Sequence, residues 1–169
     1  EATAAAIHRN RWFHTGDAGY LKDSHLYLTE RIKDLFKTSN GKYISPQALE
    51  TKLAIDRYID QIAVIADERK FVSALIVPVY GFVKDYAKEK GIAYSNMDEL
   101  LQHPKIQALF RARIDTLQQQ FAHYEQVKRF TLLTEPFSIE RGELTNTLKL
   151  KRSVVAKNYK GLIDKMYEE

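Results

Sequence analysis

Cysteine is absent from this chain of 169 residues. Neither a disulfide framework nor thiolate chemistry is open to it, and the absence fits a reducing compartment. No apolar run approaches the roughly 20 residues that a membrane-spanning helix needs. The start, Glu1-Ala2-Thr3-Ala4-Ala5-Ala6, has neither the basic head nor the apolar stretch of a secretory signal. A chain opening on Glu rather than Met is expected to be cut from something longer. The histidines His8, His14, His25, His103 and His123 stand without ligand spacing and without cysteine neighbours, so no metal site is expected. A G-x-S-x-G elbow, a Walker loop and a G-x-G-x-x-G turn are all missing. Stacking aromatics interleaved with a basic patch are missing too, which argues against nucleic acid as a partner.

What is present is the composition of a globular protein, with 44% hydrophobic and 28% charged residues. The length suits one domain, or one domain plus a fragment. A net charge of +4 gives a modest affinity for anions, or simply a mildly basic solvated surface.

Residues 11–28 read as a β-hairpin, with Tyr20-Leu21 and Leu26-Tyr27-Leu28 as the strands and Lys22-Asp23-Ser24-His25 as the turn. The stretch Glu30 to Pro46 is dense in charge and carries a loop signal at Ser39-Asn40-Gly41. It reads either as a solvated connection or as a hinge that carries charged side chains into a site. Ser45 is a good N-cap and Pro46 suits a first helical position, with Leu49 and Leu53 facing a core. The apolar runs 62–66 and 71–79 predict an antiparallel pair at the centre of a sheet. Helical spacing follows in residues 82–87, in a short segment 97–102 and in a longer one opened by Pro104, the last carrying Ile106, Leu109, Phe110, Ile114, Leu117 and Phe121. Residues 130–133 make a third strand. Residues 136–148 show no period and read as a loop, and a single closing helix begins near Arg152 with Val155, Tyr159, Leu162, Ile163 and Met166 on one face. No internal repeat is legible. The composite is α+β: a small sheet of about three strands covered by helices, with a β-hairpin in front.

Three polar spots stand out. Asp17 lies among small residues, where a carboxylate suits paired ribose hydroxyls. Arg31 and Lys33 offer a guanidinium fork and a cation close together. Lys149 sits in the run Leu144 to Arg152, where a loop lysine delivers a point charge to an oxygen on which negative charge builds. Taken singly, each is equally well a solvated surface group.

In order along the chain, these spots resemble the adenylate-forming family of acyl-CoA synthetases, luciferases and peptide-synthetase adenylation domains. Trp12-Phe13-His14-Thr15-Gly16-Asp17 is similar to its aromatic-x-T-G-D pattern, and Arg31-Ile32-Lys33-Asp34 to its hinge motif. Residues 39–46 with Glu50 resemble the glycine loop and the helix after it, and Thr145-Asn146-Thr147-Leu148-Lys149 the C-terminal lysine motif. Residues 37–46 and 144–152 look like the long-chain fatty acyl-CoA synthetase branch. Leu148 stands where many members have glycine, as that branch does.

The resemblance implies that residues 1–32 are the tail of a large AMP-binding domain and residues 33–169 a C-terminal lid. It implies a ligase that joins fatty acid to ATP as acyl-adenylate, then to CoA with release of AMP. Asp17 and Arg31 would bind the nucleotide, Lys33 would be the hinge, Lys149 the catalytic lysine, and Gly41 and Lys42 would face CoA. ATP, CoA and Mg2+ are the implied cofactors, with Mg2+ held mainly by the absent N-terminal domain, which is itself a partner. The expected location is cytoplasmic, with peripheral contact at a membrane suited to a fatty-acid substrate. The chain alone is expected to fold without turning over substrate. The alternatives are a peptide-synthetase or shorter-chain relative, and a non-catalytic module for CoA or nucleotide.

Overall fold

The computed structural model describes residues 12–168, without the side chains of Thr29, Glu30 and Lys33. Strands β1 (Asp17–Lys22) and β2 (His25–Arg31) form an antiparallel hairpin. Asp23 and Ser24 both take positive φ, 50° and 62°. That is a two-residue turn of the type whose twist matches the strands it joins. At the bulge between Ala18 and Gly19, a Cβ on Gly19 would stand 2.5 Å from the Tyr27 carbonyl oxygen, so the bulge requires glycine. The hairpin runs three residues beyond Leu28, its expected end, and so pairs Asp17 with Arg31. Arg31 therefore stands on a strand rather than in a loop.

A single 3-10 turn (Ile32–Asp34) leads into a second short hairpin, β3 (Phe36–Lys37) with β4 (Tyr43–Ile44). The backbone of Lys33 lies in that turn, and its side chain lies outside the described residues. Helix α1 (Pro46–Leu53) starts as the sequence predicts: Ser45 Oγ accepts the Ala48 N–H at 3.2 Å, satisfying one of the unpaired donors of the first turn.

The main sheet holds β5 (Ile59–Ile65), β6 (Val72–Pro78) and β7 (Val127–Leu132), in the order β5-β6-β7. β5 and β6 are antiparallel, whereas β6 and β7 are parallel. A parallel pair needs a long crossover. Helices α2 (Tyr80–Glu89), α3 (Met97–Gln102) and α4 (Pro104–Leu117) supply it. Every residue of β6 is buried, which is why its sequence is continuously apolar instead of alternating. Of the two runs expected at the sheet centre, only β6 lies there. β5 is an edge strand.

The period of two along the strands divides the core between the sheet's faces. Ile62, Val64, Ala74 and Ile76 pack with Leu49, Leu53, Phe110 and Ile114. Ala63, Leu75 and Val77 pack with Phe137, Val155 and Ile163. A buried side chain of this size contributes about 1.5–3 kcal/mol.

The closing helix is two helices, α5 (Arg152–Asn158) and α6 (Lys160–Lys165), interrupted at Tyr159. The break lets Tyr159 pack edge-on against Phe137, with ring centroids 5.7 Å apart. Val155, Ile163 and Met166 still reach the core, and Leu162 stays at the surface. α4 stops before Phe121 because the Gln118 side chain turns to β7, where its Oε1 accepts the Val127 N–H at 2.8 Å.

Candidate functional site

Two loops of this fold share one hydrogen-bond pattern. In residues 38–42 the Thr38 N–H donates to the Lys42 carbonyl at 2.9 Å, and the Gly41 N–H to the Thr38 carbonyl at 2.8 Å. The Lys42 N–H donates to Thr38 Oγ1 at 3.1 Å. In residues 145–149 the Thr145 N–H donates to the Lys149 carbonyl at 2.8 Å, and the Leu148 N–H to the Thr145 carbonyl at 2.9 Å. The Lys149 N–H donates to Thr145 Oγ1 at 3.0 Å. The flanking residues pair in the same register, Lys37 with Tyr43 and Leu144 with Leu150. In both, the fourth residue is left-handed: Gly41 at φ 75° and Leu148 at φ 60°. This is a turn closed by a left-handed residue, a common hairpin loop. The two sequences share only threonine and lysine, four residues apart, too little for a repeat to be legible.

The lysine loop is held from below by Glu143, whose carboxylate is 1% exposed. It accepts the Ser138 N–H at 3.0 Å, Arg141 Nε at 3.1 and 3.2 Å, and Asn158 Nδ2 at 3.3 Å. Burial pushes this carboxyl up, but Arg141, the Ser138 N–H and Asn158 together hold it below its ordinary 4.5. The Glu143 carbonyl accepts the Lys151 N–H at 2.7 Å, beyond the loop. The Lys37–Lys42 hairpin is tied differently, to the β5–β6 turn: Ser39 N–H to the Arg69 carbonyl at 3.1 Å and Glu68 N–H to the Lys37 carbonyl at 2.9 Å.

Asp17, Arg31 and Lys149 line one open groove of about 950 Å³ between the first hairpin, α1 and the start of α5. Asp17 Oδ1 lies 3.8 Å from Arg31 Nε across the hairpin, a loose, solvated pair. The Lys149 side chain is exposed, and among the described residues its ammonium has no carboxylate partner. The groove thus holds three carboxylates, Asp17, Asp34 and Glu50, beside the cations Arg31, Lys149 and Arg152, a mixed lining that suits a ligand with both hydroxyls and anionic oxygens. Gly41 and Lys42 do not line it. Lys42 Nζ instead sits 5.6 Å from the centre of the Tyr124 ring, in cation–π range.

Two further groove residues stand in the quoted motifs, but their pairing escapes a reading of the sequence. Glu50 on α1 and Arg152 at the start of α5 form a two-pronged ion pair, 2.5 and 2.6 Å. Glu50 Oε1 also accepts the Val64 N–H of β5 at 2.8 Å, and Arg152 lies 5.5 Å over the Phe36 ring. Glu50 follows the glycine-loop motif, and its neighbour Leu49 turns that side of the helix inward. Nothing local marks its partner, 102 residues away. Among the described residues no three His, Asp or Glu converge as metal ligands, and no helix is long and apolar enough to cross a membrane.

The chain is similar to known proteins along nearly its whole length. The family model of the AMP-binding enzyme C-terminal domain matches residues 33–169. The long chain acyl-CoA synthetase 7, peroxisomal, of Arabidopsis thaliana is 34% identical over 173 residues, covering all of this chain and 25% of that protein. The long-chain-fatty-acid–CoA ligase 5 of Rattus norvegicus is 34% identical, covering 99% and 25%. The chain therefore spans about a quarter of the length of these relatives. Among solved structures, the adenylation domain of a carboxylate reductase from Mycobacterium chelonae superposes with a TM-score of 0.78 at 23% identity, covering 99% of this chain and 25% of that one. That likeness concerns the fold alone.

Proposed function

Since this chain belongs to the AMP-binding enzyme C-terminal domain family, we propose that it is the lid of an AMP-forming long-chain fatty acid–CoA ligase. Residues 1–32 are then the tail of the large nucleotide-binding domain and residues 33–169 the lid, a division supported by the range that the family matches. The observation that carries the reading is the meeting of Asp17, Arg31 and Lys149 on one groove, with no carboxylate partner for Lys149 among the described residues.

In the first half-reaction a fatty-acid carboxylate oxygen attacks the α-phosphorus of ATP and pyrophosphate leaves. The Asp17 carboxylate accepts hydrogen bonds from the ribose hydroxyls. Arg31 donates to ribose or α-phosphate oxygens. Lys149 lies between carboxylate and α-phosphate, where charge of one sign is crowded in the transition state, and lowers the barrier by meeting it. In the second, the CoA thiol attacks the acyl carbonyl and AMP leaves. Lys149 must then be withdrawn and the 38–42 loop presented, with Gly41 giving the pantetheine arm room against the backbone and Lys42 a cation beside it. Lys33 is the pivot between the two arrangements. Among the described residues this chain offers no cluster of three His, Asp or Glu for the Mg2+ that accompanies ATP, which the larger domain would hold. The full-length enzyme is cytoplasmic in this reading and meets its fatty acid at a membrane surface.

The test is Lys149→Ala in the full-length enzyme, with the half-reactions measured apart. Adenylation is expected to fall about 10²–10³-fold, while thioester formation from supplied acyl-adenylate stays near wild type. Equal losses in both would overturn the reading.

A further inference from the structure

The two loops with one hydrogen-bond pattern differ at the residue that must turn left-handed. Gly41 adopts that conformation at no steric cost. Leu148 adopts it with a Cβ crowded against backbone. Nothing in the loop's own bonding asks for leucine, because the pattern uses only backbone groups and the threonine hydroxyl. Nor does the core ask for it: the side chain is 70% exposed and belongs to neither apolar cluster. It is the one apolar side chain between Thr145 and Lys149. A residue that costs the loop conformational energy and joins no apolar cluster among the described residues finds its return elsewhere. The chain covers a quarter of its relatives' length, so a much larger body of the same polypeptide is available to receive it.

We infer that Leu148 is a docking residue: when Lys149 enters the site for adenylation, the Leu148 side chain is buried against an apolar patch of the larger domain preceding this chain. The inference rests on the lid reading above. Leu148 touches no reacting atom. It favours the arrangement in which Lys149 is inserted, by taking its apolar surface out of water only there.

Three substitutions test it, Leu148→Gly, Leu148→Asn and Leu148→Met. In the 169-residue chain, Leu148→Gly is expected to raise the thermal midpoint by about 2 °C, since glycine relieves the left-handed strain. In the full-length enzyme, Leu148→Gly and Leu148→Asn are expected to slow adenylation about tenfold through kcat, because one exposed leucine no longer docks. Thioester formation from supplied acyl-adenylate should remain unchanged, and Leu148→Met, which restores an apolar side chain, should recover most of the adenylation rate. A variant that is both more stable and slower in one half-reaction is the signature of a docking residue. A merely structural leucine would move both half-reactions together or neither, and either outcome overturns the inference, as does a midpoint that fails to rise. If Leu148→Gly adenylates at the wild-type rate while Lys149→Ala is still selectively impaired, the inference fails and the lid reading stands. If Lys149→Ala also leaves adenylation intact, the lid reading itself has failed.

Discussion

Residues 38–42 and 145–149 are the same loop built twice with different supports. Each closes on a threonine hydroxyl and ends in lysine. The first is tied to the β5–β6 turn by two backbone hydrogen bonds and by the Lys37 N–H to the exposed Asp67 Oδ1 at 3.3 Å, and has a glycine at its left-handed position. The second stands on a buried carboxylate and has a leucine there. A fixed backbone pattern thus accepts different side chains, and the differences mark what each loop must do beyond closing. The glycine loop keeps its apex bare, and the lysine loop carries an apolar group beside its charge.

The comparison breaks most sharply at the two lysines. Lys149→Ala should cost adenylation about 10²–10³-fold, whereas Lys42→Ala should slow only the thioester step, about fivefold as for one lost cation contact. Rapid-quench measurement of each half-reaction separates them. If the two variants fail in the same step, the loops do not divide the work.

Next comes the anchor. Glu143→Gln removes the charge from hydrogen bonds to Arg141 and should lower the chain's stability by about 2 kcal/mol, read as a shifted urea midpoint with unchanged slope. Because the folded carboxyl is held below its ordinary 4.5, its contribution is complete above that pH and is lost as pH falls through the lowered value. The wild-type chain should therefore lose stability on acidification more steeply than Glu143→Gln. Amide exchange at Lys151 should speed up with it, while the 38–42 loop, tied mainly by backbone groups, should hold longer.

Smaller effects lie at the left-handed residue and the threonine. Gly41→Leu should destabilise by about 1–2 kcal/mol on conformation alone, since a Cβ there meets nothing within 4 Å. Leu148→Gly should have the opposite sign, which makes the pair an internal control. Thr38→Val should cost about 1 kcal/mol, because Thr38 is buried and its hydroxyl also donates to the Lys42 carbonyl at 3.2 Å. The half-exposed Thr145 should cost less. Equal losses would mean that water does not compensate at the second loop.

Much of this was legible in the sequence, and for physical reasons. Ser45-Pro46 announces a helix start through chemistry confined to one turn, and the apolar run of β6 announces a strand covered on both faces. Asp17, Arg31 and Lys149 were legible as residue types suited to a nucleotide and an anionic centre. Their meeting on one groove was not, because it depends on a register that pairs Asp17 with Arg31 and on a loop more than a hundred positions downstream. The break at Tyr159 was hidden because helical spacing continues through it. The pairing of Glu50 with Arg152 was hidden because an ion pair leaves no periodic trace in sequence. The likeness of the two loops lies in φ angles and hydrogen bonds, which two shared residues cannot announce.

The Glu50 carboxylate holds Arg152 and the Val64 N–H at once. It thereby couples the helix that follows the glycine loop to the helix that follows the lysine loop. If the proposed lid carries both loops as one piece, a single rotation presents one loop only by retracting the other, and the order of events follows from geometry without a separate gate. The measurable consequence is stoichiometric: an intact clamp keeps ATP consumed and thioester formed at parity. A clamp loosened by Glu50→Gln would leave adenylate waiting beside a mistimed loop, exposed to water, and more nucleotide would be spent for each thioester made.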